Sequence, residues 1–409
     1  MVRNRMTVAV LTLLLAASAA LADNWPGFRG PRGDGSSLEK DAPLKWSATE
    51  NVAWKVELPG RGHASPVVWG DRIFVVSALQ DKQERILLAL DRRTGKTLWQ
   101  RTALTAPLEH IHNLNSYASS TPATDGERVY VSFLDRDKMF IAAYDSQGNK
   151  LWEARPGPFT SVHGYSSSPI LYKDKVIVNG DHDGAGFLVA LYRKTGAVAW
   201  KTPRPNNTRS YCTPIIREVD GVPHLLMSGS KSVASYNPDT GAQQWIMDGP
   251  TEQFVAAPVY NGKLMFITAG YPELHILAIR PDGSGKVGDD HIAWRTRRGA
   301  GYVPSPILSG PYFMTVTDGG FLGCWVADTG EQLWNERTAG HTSSSPVSCG
   351  DRIYVQSDKG VTTVVRPGKT FEKLAENDLG EESYASPVIS QGQIFVRGVT
   401  HLFAIGKAK

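Results

Sequence analysis

Eight times along this chain a ring side chain stands three to five residues before a proline: His63, Tyr117, Tyr165, Tyr211, Phe254, Tyr302, His341 and Tyr384. The prolines are Pro66, Pro122, Pro169, Pro214, Pro258, Pro306, Pro346 and Pro387. A chain with 9% Phe, Trp and Tyr does not repeat that arrangement eight times by chance. Cations collect in the same stretches: Arg61, Arg209, Arg297 and Arg298, with His163 beside them. If the stretches converge, the rings can stack on a ligand and the guanidinium groups can grip its acidic or polar groups. The plainer reading is that the rings fill a gap between packed elements.

Other groups carry less. Asp181 and Asp183, with Gly184, follow an apolar run, and Asp318 and Asp358 occupy comparable places further on. Oxygen ligands on separated loops suit calcium, but Asp-Gly pairs more often make turns. No metal is expected, Asp181 and Asp183 being the nearest approach to a pair. His110, His112, Asn113 and Asn115 form an HxHNxN run that is half a metal site, and it reads as a hydrogen-bonded loop. No nucleophile elbow, phosphate-cradling loop or zinc-protease motif is present. Cys212, Cys324 and Cys349 are three in number at unrelated blade positions, Cys212 and Cys324 reading as small buried residues. A disulfide between any two is open in an oxidising compartment but has no support from spacing, and there is no haem motif.

The elements that must position these groups repeat. Each motif proline opens a short apolar strand that runs into a tight turn and a second strand, as in SPVVWGDRIFVVSA from Ser65 and SPVSCGDRIYVQSD from Ser345. Most are followed by a second motif such as ALDRRTGKTLW, Ala89 to Trp99. A repeat of roughly 40–55 residues with four strand-like runs is the signature of a β-propeller blade. Tryptophans recur at Trp54, Trp99, Trp152, Trp200, Trp245, Trp294 and Trp334, where an indole can fill the wedge between blades and its N–H needs a partner. The seventh repeat, Val364 to Asn377, lacks one. The last repeat has room for three strands only, while Asn51–Leu58 is a strand with no proline motif before it. The expected fold is therefore all-β: an eight-bladed propeller of four-stranded antiparallel blades over 50–409, closed by that N-terminal strand. The proline motif marks the innermost strand, so all eight rings fall on one face of the channel.

The motif AxDxxTGxxxW at Ala89–Trp99 resembles the tryptophan-docking motif of quinoprotein-type, PQQ-like repeat propellers, and the resemblance covers essentially all of 50–409. Trp25 to Ser37 (WPGFRGPRGDGSS) resembles the leader of exported members in planctomycete-type bacteria. The superfamily includes dehydrogenases carrying pyrroloquinoline quinone (PQQ) and scaffolds similar to the propeller lipoprotein of the outer-membrane β-barrel assembly machine. Family dehydrogenases cover the quinone with a disulfide between adjacent cysteines, and this chain has no Cys-Cys pair. A PQQ-like repeat describes blade packing and does not by itself imply that PQQ binds.

Arg3 and Arg5, the apolar run from Val8 to Ala17 and Ala20-Leu21-Ala22 make residues 1–22 a secretory signal peptide. The run is short for a bilayer span, and no cysteine near the cleavage site offers a lipid anchor. Removing the two arginines takes the net charge from +4 to +2, which points to neither nucleic acid nor an acidic surface. Residues 23–49 are expected to pack as an irregular extension, disordered locally near Arg32–Ser37. The reading is a periplasmic or secreted, monomeric, non-catalytic scaffold without cofactor. It would bind a protein, peptide or glycan of the cell envelope through the channel-mouth rings. The alternative is a PQQ- and calcium-dependent alcohol or sugar dehydrogenase.

Overall fold

The computed structural model describes residues 24–338 and 340–407; the leader expected at 1–22 lies outside them. Eight sheets follow one another in sequence, each built from four successive antiparallel strands except where the ring closes and where a short element of the blade-five hairpin joins blade four. Blade one is Val67–Trp69, Arg72–Leu79, Glu84–Asp91 and Thr97–Thr105. Its two middle strands are buried almost end to end, because neighbouring blades cover both of their faces. That is why they read as continuous apolar runs rather than alternating ones. Outer strands alternate instead, as Val52–Glu57 does.

Blade eight joins Val388–Ser390, Gln393–Arg397 and His401–Ile405 to Val52–Glu57, with Trp54 opposite Ala404. The ring closes through the N-terminal strand, as the strand count requires. Blade four differs from the four-strand expectation, since Gly285–Lys286 from the blade-five hairpin adds a short parallel fifth element beside Trp245. No helix among the described residues is long and apolar enough to cross a membrane.

Blade seams repeat one joint. Trp54, Trp99, Trp152, Trp200, Trp245, Trp294 and Trp334 donate their indole N–H to the carbonyls of Arg92, Ser146, Arg193, Pro238, Pro281, Ala327 and Gly368, at 2.8 to 3.2 Å. Each acceptor lies in the hairpin turn of the next blade. Gly95 shows why that turn needs glycine. Its φ is +71°, and a Cβ there would sit 2.7 Å from the Trp54 ring. Asp91 ties the same turn by accepting the Thr94 amide at 2.8 Å and its hydroxyl at 2.7 Å.

The seventh blade's missing indole is replaced from elsewhere. Ala375 faces Val364 where other blades pair tryptophan with a small residue. Trp46, from the N-terminal extension, is buried there and stacks on Tyr354 at 6.3 Å. The spacing matches Trp54 on Phe395 and Trp99 on Phe74, both at 6.0 Å. Asn377 holds the segment, accepting the Trp46 amide at 2.9 Å and donating to the Leu44 carbonyl at 3.1 Å.

Further upstream, the extension crosses the channel on the hairpin-turn face. Trp25 exchanges two backbone hydrogen bonds with Val68 of blade one, and the Pro26 carbonyl accepts the Thr124 amide of blade two. Arg217 of blade four donates to the Arg32 carbonyl at 2.6 Å. The buried Arg29 guanidinium donates to the carbonyls of Pro306 and Pro346 in blades six and seven. The stretch expected to be disordered near Arg32–Ser37 is instead tied down: Ser37 and Gly35 bond Ser348 at 2.8 and 2.9 Å. Backbone partners from several blades satisfy what the glycine-rich composition left open.

Candidate functional site

With Phe28 of that crossing segment as its floor, a cavity of about 360 Å³ opens at the opposite face of the channel. Its lower wall is a ring of hydroxyls, one immediately before each motif proline except at Ala257: Ser65, Thr121, Ser168, Thr213, Ser305, Ser345 and Ser386. Many of them link neighbouring blades. Thr121 accepts the Ser65 amide at 3.1 Å, Ser168 that of Thr121 at 3.0 Å, and Ser305 that of Ala257 at 2.9 Å. Ser345 and Ser386 accept the amides of Ser305 and Ser345 at 3.0 and 2.9 Å. The recurrence of Ser or Thr immediately before the motif proline is the sequence signal that points to this belt.

Above the hydroxyls stand rings. Of the eight singled out, His63, Tyr211, Tyr302 and Tyr384 line the cavity. His63 stacks on Tyr384 at 4.4 Å. Tyr302 donates its hydroxyl to Gln253 at 3.0 Å, and that of Tyr211 bonds Ser161 at 2.5 Å and His163 Nδ1 at 3.1 Å. The other four do not line it. Phe254 is wholly buried between blades, and Tyr165 is buried with its hydroxyl on Ser132 and its ring edge-on to Phe159. Tyr117 lies under the Arg85 guanidinium, 5.7 Å away. His341 stands out on the rim, 2.6 Å from Asp358. Spacing sorts them only in part: the three rings three residues before the proline (His63, Tyr211 and Tyr384) all line the cavity and the two five before do not, whereas of the three at four before only Tyr302 does.

The cations stay outside the cavity. Arg209 is held by Asp183 at 2.7 Å, near enough for its charge to act on His163, Tyr211 and Tyr302, while Arg298 is exposed and lines nothing. Asp181 is buried against Arg204 at 3.0 Å and accepts the Ser210 hydroxyl at 2.7 Å. Asp318 accepts the amides of Tyr302 and Val303, and Asp358 that of Ser343, so these carboxylates clamp the connections that carry the rings. Among the described residues no group of three His, Cys, Asp or Glu could hold a metal. The HxHNxN run forms wall: His112 meets His163 edge-on at 5.5 Å, and Asn115 donates to the His163 carbonyl at 2.7 Å. Burial, and then the Arg397 charge, push the His63 imidazole down to about 4, and burial lowers His163 as well. Cys212, Cys324 and Cys349 are buried and unpaired, with burial raising each thiol.

A family model described as outer membrane protein assembly factor BamB matches residues 48–225 and 229–369. The quinohemoprotein alcohol dehydrogenase ADH IIB of Pseudomonas putida is 25% identical over 277 residues, covering 63% of this chain and 37% of its own. Among solved structures, BamB from Moraxella catarrhalis aligns with a TM-score of 0.62 at 14% identity, covering 87% of this chain and 97% of its own. The quinohemoprotein alcohol dehydrogenase from Comamonas testosteroni aligns at 0.67 and 14% identity, covering 95% and 81%. These structural likenesses are of fold. The chain spans 24% to 59% of the length of the first curated dehydrogenases it matches.

Proposed function

We propose that this chain, which belongs to the outer membrane protein assembly factor BamB family, is an exported, non-catalytic propeller scaffold of the cell envelope that binds a protein, peptide or glycan through its ring-lined face. The observation that carries this is the blind cavity. It is closed below by Phe28, walled by hydroxyls and rings, and its nearby carboxylates are committed to the protein's own backbone. Such a pocket can seat a protruding group between its rings and hydroxyls. Exposed Leu114 and Val162, on connections of the same face, add apolar area for a partner.

A second reading, favoured by the dehydrogenase relatives, is a quinone-dependent alcohol or sugar dehydrogenase. PQQ is a tricarboxylate that works with a metal ion. No lysine or arginine lines the cavity, and Asp318, the carboxylate that does, already takes two backbone N–H groups. The residues present do not fit that pair. The test is a titration of the mature protein with PQQ and calcium, beside affinity capture from the native envelope with wild type and Tyr384→Ala. The scaffold reading expects capture that the substitution weakens. Stoichiometric quinone absorbance with dye reduction by an alcohol would overturn it.

A further inference from the structure

Taking the ring-lined cavity as the binding face, as proposed above, we infer that its base receives a single carboxylate from the partner, on an acidic side chain or a free chain end. The hydroxyl belt carries the argument. Thr121, Ser168, Ser305, Ser345 and Ser386 each accept a backbone N–H from the neighbouring blade. A hydroxyl has one proton to give, and among the described residues no acceptor takes it from these five or from Thr213, which leaves a ring of O–H donors at one level of the channel. Thr121, Ser168, Ser305 and Ser345 are at most 3% exposed, and unmet donors at that depth are costly without a ligand or water.

Charge behind the wall has the matching sign. Arg29, beneath the belt, bonds the carbonyls of Pro306 and Pro346, the residues next to Ser305 and Ser345. Arg397 donates to the Ala64 carbonyl at 3.1 Å, beside Ser65, and to Val76 at 2.6 Å. Both guanidiniums are buried and neither contacts a carboxylate among the described residues. The Asp34 charge acts on Arg29, whereas Arg397 has no such counter-charge, and a buried cation without an anionic partner favours a negative group nearby. Each of the five belt oxygens has one lone pair taken by a backbone amide and one open, so the belt is weaker as an acceptor than as a donor set, which favours a group that only accepts over a sugar hydroxyl. A phosphate dianion would call for a cation in contact, and none lines the cavity. The cavity's own carboxylate, Asp318, is taken up by the amides of Tyr302 and Val303. The ring of neutral donors at the base, with Arg29 and Arg397 behind it, suits one carboxylate, the aromatic rings being left for the apolar part of the ligand.

Benzoate and benzamide, identical but for the charged acceptor, test this by saturation-transfer NMR and titration on the mature protein. Benzoate should bind at least tenfold more tightly than benzamide. Thr213→Val, nearly isosteric, removes a cavity-wall hydroxyl that accepts no neighbouring blade amide, and should weaken benzoate several-fold without lowering the melting temperature. Two short peptides separate the sources of the group: a neutral one with a free C-terminus, and an amidated one with an internal glutamate. Equal affinity for benzoate and benzamide, or benzoate binding that Thr213→Val leaves unchanged, would overturn the carboxylate assignment. If envelope capture still depended on Tyr384 in that case, the scaffold reading would stand alone; if capture were also insensitive to Tyr384, both would fall.

Discussion

His63 links the cavity wall to stability. Its ring is half-buried against Tyr384, and burial together with the Arg397 charge lowers its imidazole to about 4, from an ordinary value of roughly 6.5. Between those values the unfolded chain holds a proton that the folded chain rejects. The contribution of neutral His63 is therefore complete above the unfolded value and is lost as pH falls toward 4, by up to about 1.4 kcal/mol per pH unit. Urea unfolding at pH 7 and pH 5 should show a smaller loss in His63→Gln than in wild type; equal losses would exclude His63 as the group. Ring substitutions should divide by burial. Phe254→Ala should cost about 3–5 kcal/mol by leaving a cavity between blades, and Tyr384→Ala, at the open mouth, much less. Thermal melts of the two variants check this. The recurrence of eight rings was legible in the chain, but which of them face the channel was not read. That depends on the register of each connection and on partners such as Ser132 and Arg85 that lie distant in sequence.

At the scale of elements, the seam between blades seven and eight is the informative one. Strands, turns and docking tryptophans were legible because each blade repeats the same packing problem and solves it with the same residues. The path of the N-terminal extension was not, since its WPGFRGPRGDGSS stretch has neither strand nor helix periodicity and takes its conformation from the carbonyls and amides of separate blades. Trp46 connects the two cases. It packs where the seventh repeat has lost its indole, stacked on Tyr354 at 6.3 Å where Trp99 lies tilted on Phe74 at 6.0 Å. Its indole N–H, unlike those of the seven docking tryptophans, has no partner among the described residues. Trp46→Ala should then destabilise by about 3–5 kcal/mol, comparable to Trp99→Ala. Chemical denaturation of both variants checks this. A loss well under 1 kcal/mol would mean that Trp46 merely rests on the wall.

For the whole molecule, stability depends on a seam joined by the two ends of the described chain. Val52–Glu57 pairs with His401–Ile405, and Trp54 donates across to the Arg92 carbonyl at 2.9 Å. Buried groups reinforce the joint: Arg92 donates to Gln393 at 2.9 Å, and Arg397 bonds three groups of blade one. A propeller with a missing outer strand presents an unpaired edge and loses the wedge that holds its first and last blades together. Deleting residues 24–58 should therefore abolish cooperative unfolding or drive aggregation. Deleting 24–40 removes the floor segment but leaves Trp46, Val52–Glu57 and the closing indole, and should keep a cooperative ring with a channel open at both faces. Size-exclusion chromatography and urea unfolding distinguish the two truncations. A monomeric, cooperatively unfolding chain that begins at residue 59 would show that the three strands of the last repeat hold the ring shut without the N-terminal strand, and that the paired register from Val52 to Glu57 contributes little to closure.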